Sequence, residues 1–204
     1  GKDSLNNQFT TQSGETIYIP PTLLISGFGI VDDVDSCVTM DAKSAGNLLL
    51  LVGETTSAMG GSHFLMVEPN SSCDHSLPVV SLEEGPNIAK KINAAINARY
   101  VQSAHDCSEG GLLVAAAEMT FGGKLGLTMQ LEGSEDFVPW CFAETPSRYL
   151  IEVHPESLDA LSVLLGDTKH VVVGTFNDSR KLSLGDYAWS IEELEQSWLE
   201  GMVI

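Results

Sequence analysis

The chain has 204 residues, enough for one domain with a substantial core, and 43% of them are hydrophobic, which is a globular rather than a disordered composition. Ten Lys and Arg stand against 28 Asp and Glu, for a formal charge of −18. This balance argues against nucleic acid and anionic membranes as partners, since both require a basic surface, and it means that any phosphate site must draw its positive potential from backbone N–H groups or a metal ion.

No apolar run has the length of a transmembrane helix and no secretory signal opens the chain. The four cysteines, Cys37, Cys73, Cys107 and Cys141, form no C-x-x-C pair, so they read as free thiols in a reducing cytoplasm rather than as a zinc or dithiol centre. The chain opens on Gly1-Lys2-Asp3-Ser4 without Met and reads as a piece of a longer protein.

In chain order, Gly1 to Asn7 is polar and turn-like, and Pro20-Pro21 interrupts regular structure after Ile17-Tyr18-Ile19. Thr22 to Val31 (TLLISGFGIV) reads as a strand, Asp32-Asp33 as a turn, and Ser36 to Met40 as a short return strand. Asp32, Asp33 and Asp35 read as a solvated turn rather than a metal cluster. Asn47 to Val52 is a continuous apolar run that fits a strand covered on both faces. Gly60-Gly61-Ser62 is a weak phosphate-cradle signal, and Asn70 to Pro78 has loop composition.

Pro86 to Val101 carries Ile88, Ile92, Ala95 and Ile96 at helical spacing. That predicted helix runs into the stretch with the most chemistry, His105-Asp106-Cys107-Ser108-Glu109-Gly110-Gly111-Leu112. Asp106 is a carboxylate suited to a divalent cation, and Ser108 a hydroxyl suited to a helix cap or a phosphate. Gly110 and Gly111 permit close backbone approach where a helix N-terminus favours anions. The bland alternative is an ordinary helix start. The helix that follows, rich in Ala and Leu, ends at Gly122-Gly123.

Leu125 to Leu131, Arg148 to Val153, Val171 to Val173 and Lys181 to Leu184 read as strands. Phe137 to Ala143 reads as a packed loop, and Ser157 to Leu165 as a helix. Ser190, three residues before Glu193, forms a capping box for a last helix bearing Ile191, Leu194, Trp198 and Leu199. Strands and helices mix without a regular βαβ beat and no G-x-G-x-x-G follows a strand, which favours an α+β fold over a dinucleotide-binding one.

Several strings together resemble the phosphoribosylformylglycinamidine synthase family: G-K-D-S, P-P-T-L-L-I-S-G-F-G-I-V-D-D-V, V-T-M-D, L-V-G-E-T, H-D-C-S-E-G-G-L with A-E-M, F-A-E-T-P-S-R-Y-L, and the closing S-I-E-E-L-E-Q-S-W. They occur in the family's order and span nearly the whole chain. The resemblance is to the C-terminal domain of the second half of the synthetase, a domain type shared with aminoimidazole ribonucleotide synthetase. It implies an α/β sandwich around a mixed sheet, with residues 1–20 as the tail of the preceding domain and 21–204 as the C-terminal-type domain.

By the same resemblance the parent reaction is an ATP-dependent, carbon–nitrogen-ligase amidation of formylglycinamide ribonucleotide with glutamine-derived ammonia. Mg²⁺ and ATP or ADP are the implied cofactors. Asp106 becomes the metal ligand, and Ser108, Gly110, Gly111 and Gly1 become nucleotide contacts. Ser4 and Lys2 are weaker phosphate or substrate candidates. Lys2 stands where the family usually has Asn, so it is rejected as a metal ligand. His105 is assigned a structural role or one supporting a neighbouring ligand residue, Cys107 and Glu109 depart from the usual Val and Asp, and Glu144 resembles a substrate-contacting Glu of the first half. No catalytic residue is expected in the piece itself. The implied partners are the rest of the synthetase chain, a glutaminase and a ribonucleotide substrate. A homodimer through an apolar face left bare is a further candidate. The competing reading from another class is a non-catalytic docking domain.

Overall fold

The computed structural model describes residues 8–18, 25–31, 33–130 and 136–201. By internal contacts the chain divides into Gly1–Val34 and Asp35–Ile204. The first unit contains an antiparallel hairpin of β1 (Gln8–Thr10) and β2 (Thr16–Tyr18), whose turn closes through Gly14 at φ +84°. The strand expected over Thr22 to Val31 does not form in its described part, since residues 25–31 make no ladder and Ile25, Phe28 and Ile30 are exposed. Two glycines in seven residues weaken strand propensity there. Asp32 and the Pro20-Pro21 pair lie outside the described residues. The expected return strand at Ser36 to Met40 is also absent; Val34–Ser36 is a 3₁₀ turn.

The second unit is built on a seven-stranded mixed sheet. Its strands are β3 (Leu48–Val52), β4 (Val101–Asp106), β5 (Gly126–Met129), β6 (Tyr149–Val153), β7 (His170–Asn177), β8 (Lys181–Leu184) and β9 (Tyr187–Ser190). The spatial order is β4-β6-β3-β7-β5-β8-β9, and every pairing is antiparallel except β5 with β8. The α+β reading of the sequence holds.

The apolar run in β3 is buried on both faces, as a continuous hydrophobic strand should be. Leu49 and Leu51 enter one core with Leu112, Met119 and Trp140. Leu50 and Val52 enter the other with Ile88, Ile92 and Leu161. Helices α2 (Glu84–Asn97) and α5 (Leu158–Leu165) cover the second face. On the first face α3 (Gly111–Gly123) is buried almost all round, because α4 (Phe137–Phe142) and α6 (Ile191–Gly201) pack on it. The short α1 (His63–Val67) is capped by Ser62. The predicted capping box forms at α6: Glu193 N donates to Ser190 Oγ at 3.1 Å and Ser190 N to Glu193 Oε2 at 3.3 Å.

Two further local expectations fail. The helix read over Pro86 to Val101 ends at Asn97, and a new strand, β4, begins at Val101, so the motif follows a strand rather than a helix. Arg99, at φ +62°, turns the chain between them. Phe137 to Ala143, read as a loop, is the helix α4; its Pro139 stands in the first turn, where a missing N–H costs nothing.

Glu152 in β6 is fully buried and meets no cation among the described residues. Its carboxylate accepts from Lys43 N (2.8 Å), Ser44 N (3.0 Å), Asn47 Nδ2 (2.7 Å) and Ser103 Oγ (2.8 Å). It thereby ties the segment before β3 and the edge strand β4 to β6, the second strand of the sheet. Removing it strands two buried donors and two part-buried ones, so Glu152→Ala is expected to lower stability by about 3 kcal/mol in urea denaturation. A loss below about 1 kcal/mol would show that these bonds are not what holds β4 in place.

Candidate functional site

Asp106 ends β4 opposite Tyr149 of β6, and the pairing continues one step through Cys107 N to Arg148 O at 3.0 Å. The chain then turns through Ser108 and Glu109 into α3. A cavity of about 380 Å³ opens at this turn, lined by Asp106, Ser108 and Glu109 on one side and by His63, Glu144 and Arg148 on the other. Asp106 and Ser108, read from sequence as a cation ligand and a nucleotide contact, meet each other here: Ser108 Oγ donates to Asp106 Oδ2. That bond is the main cause holding the Asp106 carboxyl below its ordinary range, so it is a carboxylate available to a cation.

Gly110 and Gly111 both lie in the left-handed region, at φ +78° and +72°, where a side chain is strained. A Cβ on Gly111 would also lie 2.6 Å from the Ala143 carbonyl oxygen. Their N–H groups are engaged internally: Gly110 N donates to Glu144 Oε1 at 2.8 Å and Gly111 N to Ser108 O at 3.0 Å. The anion that sits at the start of α3 is therefore the protein's own Glu144. Burial pushes the Glu144 carboxyl up, but the N–H groups of Gly110 and His63 and the His63 ring outweigh it and keep it below its usual value.

His105 is placed away from the turn. Its Nε2 pairs with Glu118 Oε2 of α3 at 2.6 Å, while Trp198 Nε1 of α6 donates to Glu118 Oε1 at 3.0 Å. Its Nδ1 lies 3.3 Å from Asp106 Oδ1. This is the structural role the sequence assigned it, with partners the sequence did not name. Cys107 is buried and its thiol is pushed up to about 11 by burial, so it is a packed residue and not a nucleophile. Glu109 is exposed. Gly1, Lys2 and Ser4 lie outside the described residues. At Gly60 a Cβ would lie 2.4 Å from the His75 carbonyl oxygen, so that glycine serves close packing.

Two lining residues were not singled out from sequence. Arg148 is 1% exposed and wraps its own loop: Nε donates to Thr145 O at 3.2 Å, Nη2 to Ala143 O, and Nη1 to Thr55 Oγ1 at 2.9 Å. It forms no salt bridge among the described residues. His63 donates through its backbone to Glu144 Oε1 at 2.8 Å and brings Nδ1 to the same oxygen at 3.0 Å. The signal for Arg148 was the F-A-E-T-P-S-R-Y string; His63 carries none.

Comparison with known proteins fits this architecture. Residues 44–186 match the family described as AIR synthase related protein, C-terminal domain, and the chain belongs to that family. Among curated proteins it is similar to phosphoribosylformylglycinamidine synthase subunit PurL of Alkaliphilus metalliredigens (strain QYMF), 32% identical over 206 residues that cover 97% of this chain and 27% of the relative. PurL of Lactobacillus helveticus (strain DPC 4571) is also 32% identical, over 99% of this chain and 26% of its own. The chain thus spans about a quarter of the length of these relatives. Of solved structures, T. maritima PurL complexed with FGAR superposes with a TM-score of 0.68 at 15% identity, covering 79% of this chain and 30% of that one. E. coli HypE, a hydrogenase maturation protein, gives 0.53 at 13% identity over 75% and 51%. At those identities the likeness is one of fold.

The Glu118 contact raises the His105 pKa above its ordinary 6.5, against burial, which lowers it. A raised folded-state value means that the pair stabilises the fold fully below the unfolded pKa and loses that contribution as pH rises through the folded one. Glu118→Gln is therefore expected to cost more stability near pH 5.5 than near pH 9, read from thermal melts at about those two values. Equal cost at both would mean that His105 is neutral in the fold.

Proposed function

We propose that this chain is part of the synthetase component of a phosphoribosylformylglycinamidine synthase, a carbon–nitrogen ligase that amidates formylglycinamide ribonucleotide with glutamine-derived ammonia at the expense of ATP. The observation that carries the reading is 32% identity to PurL along 97% of the chain, with the Asp106–Ser108 turn opening into a cavity. T. maritima PurL complexed with ADP and with ATP supports a nucleotide as the ligand of this kind of domain. Residues 1–20 are then the tail of the preceding domain, Gly1 a candidate nucleotide contact and Ser4 and Lys2 weaker candidates for phosphate or substrate. The glutaminase, the rest of the synthetase, the ribonucleotide substrate and a cytoplasmic setting belong to the same proposal. No helix among the described residues is long and apolar enough to cross a membrane.

The donor set suits Mg²⁺ held largely by phosphate. No group of three His, Cys, Asp or Glu fit to hold a metal occurs among the described residues, but a single carboxylate plus phosphate oxygens meets the preference of this ion. Mg²⁺ bound there would neutralise charge on the phosphates. Asp106 would hold the ion, with Ser108, which donates to Asp106, orienting that carboxylate and contacting the nucleotide. In this reading Gly110 and Gly111 shape the turn against Glu144, with the nucleotide lying over them.

A second reading, a docking domain that shapes the parent enzyme, draws on the charge of −18. It also accommodates a homodimer. Calorimetry with Mg·ADP separates the two. The nucleotide reading expects saturable binding that Asp106→Asn weakens at least about tenfold, or about 1.4 kcal/mol. Wild-type chain that takes up no Mg·ADP, or a variant that binds as well, leaves the docking reading in place.

A further inference from the structure

Nothing so far gives His63 a role, yet it is held with care. Its backbone N–H and its Nδ1 both reach Glu144 Oε1, at 2.8 and 3.0 Å. The same oxygen takes the N–H of Gly110. Three segments distant in sequence, at residues 63, 110 and 144, thus converge on one carboxylate. A carboxylate only accepts, so Nδ1 must carry the proton, and the tautomer and ring orientation are set. A carboxylate holding the far nitrogen of a ring is how proteins orient a histidine that meets a ligand through its other nitrogen. Here that other atom is Nε2, on a side chain 56% exposed at the cavity wall.

The charges of the cavity decide what Nε2 meets. Asp106, Glu109 and Glu144 contribute three carboxylates, against one guanidinium, Arg148, which is buried in its own loop. The Ser108 hydroxyl proton is given to Asp106. Of the side chains lining the cavity, His63 is therefore the exposed one able to present a cationic donor. A hydrogen bond from such a donor to an anion is among the stronger ones.

We propose that His63 is a phosphate-contacting residue of this cavity: Glu144 holds its Nδ1–H, and Nε2–H is donated to a phosphoryl oxygen of the ligand. Glu144 is the positioning residue. Asp106 and His63 divide the work, the first taking the cation and the second the phosphate. The assignment deepens the nucleotide reading and rests on it for the natural ligand, but the contact itself is testable with phosphate alone.

The test is a titration of the intact chain with inorganic phosphate at fixed ionic strength, read by NMR of the histidine rings. His63→Gln assigns the His63 signals among the five histidines. The His63 ring signals are expected to move along a saturating curve while those of His75, His105, His154 and His170 stay put. Glu144→Gln, which keeps an acceptor but removes the charge, is expected to weaken the apparent phosphate affinity about tenfold, the scale of one charge-assisted hydrogen bond. The four other histidine signals report whether each variant is folded. A His63 signal that does not move, or five that move together, overturns the proposal whatever Mg·ADP does. A saturating His63 response in a chain whose Mg·ADP binding ignores Asp106→Asn sustains the phosphate contact and removes the nucleotide reading instead.

Discussion

One buried carboxylate, Glu152, sets the frame on which the rest depends. It sits in the second strand from the sheet edge and takes four hydrogen bonds, two from the backbone at residues 43 and 44 and two from the side chains of Asn47 and Ser103. A charge without a counter-ion is tolerable in a core only when its oxygens are fully satisfied. Meeting that demand here draws the segment before β3 and the edge strand β4 onto β6. The ladder between β4 and β6 has an irregularity between Val101 and Ser103, beside this contact. Asp106 lies three residues further along β4, at the cavity that Glu152 itself does not line.

A second carboxylate, Glu144, does for the cavity what Glu152 does for the sheet. It closes the start of α3, which would otherwise present free N–H groups, and it joins that turn to the start of α1. The glycines at 110 and 111 follow from this. Only residues that accept positive φ with no Cβ can bring α3 so close to the 141–144 backbone. The pair that reads in sequence as a ligand cradle is, in the fold, first a packing device.

The strongly acidic chain spends its few cations sparingly. Arg148 is committed to the loop carrying Glu144, and Lys91 caps the carboxyl end of α5 through Leu165 O at 2.6 Å. Lys124 pairs with Glu195 of α6 at 2.6 Å. Little basic side chain is left at the cavity, where Arg148 is buried and His63 is held by Glu144.

By itself the sequence determined whatever depends on short-range pattern. The apolar run of β3, the capping box at Ser190, the helical spacing of Ile88 and Ile92, and the α+β class are all local or periodic, and all appear in the structure. Asp106 and Ser108 stood out for the same reason, two residues apart on one turn, but their bond to each other did not. Where two glycines diluted a strand signal at 25–31, or where a helix gave way to a strand around Arg99, local pattern misled, because hydrogen bonding to distant partners decides between competing conformations. Only the tertiary structure decided that Glu144 occupies the start of α3, that His105 leans on Glu118, itself bonded by Trp198, and that His63 joins the cavity. Those contacts link residues 13 to 81 positions apart, and their stability comes from burial and exclusion of water at a junction of elements. No reading of neighbours along the chain contains that information.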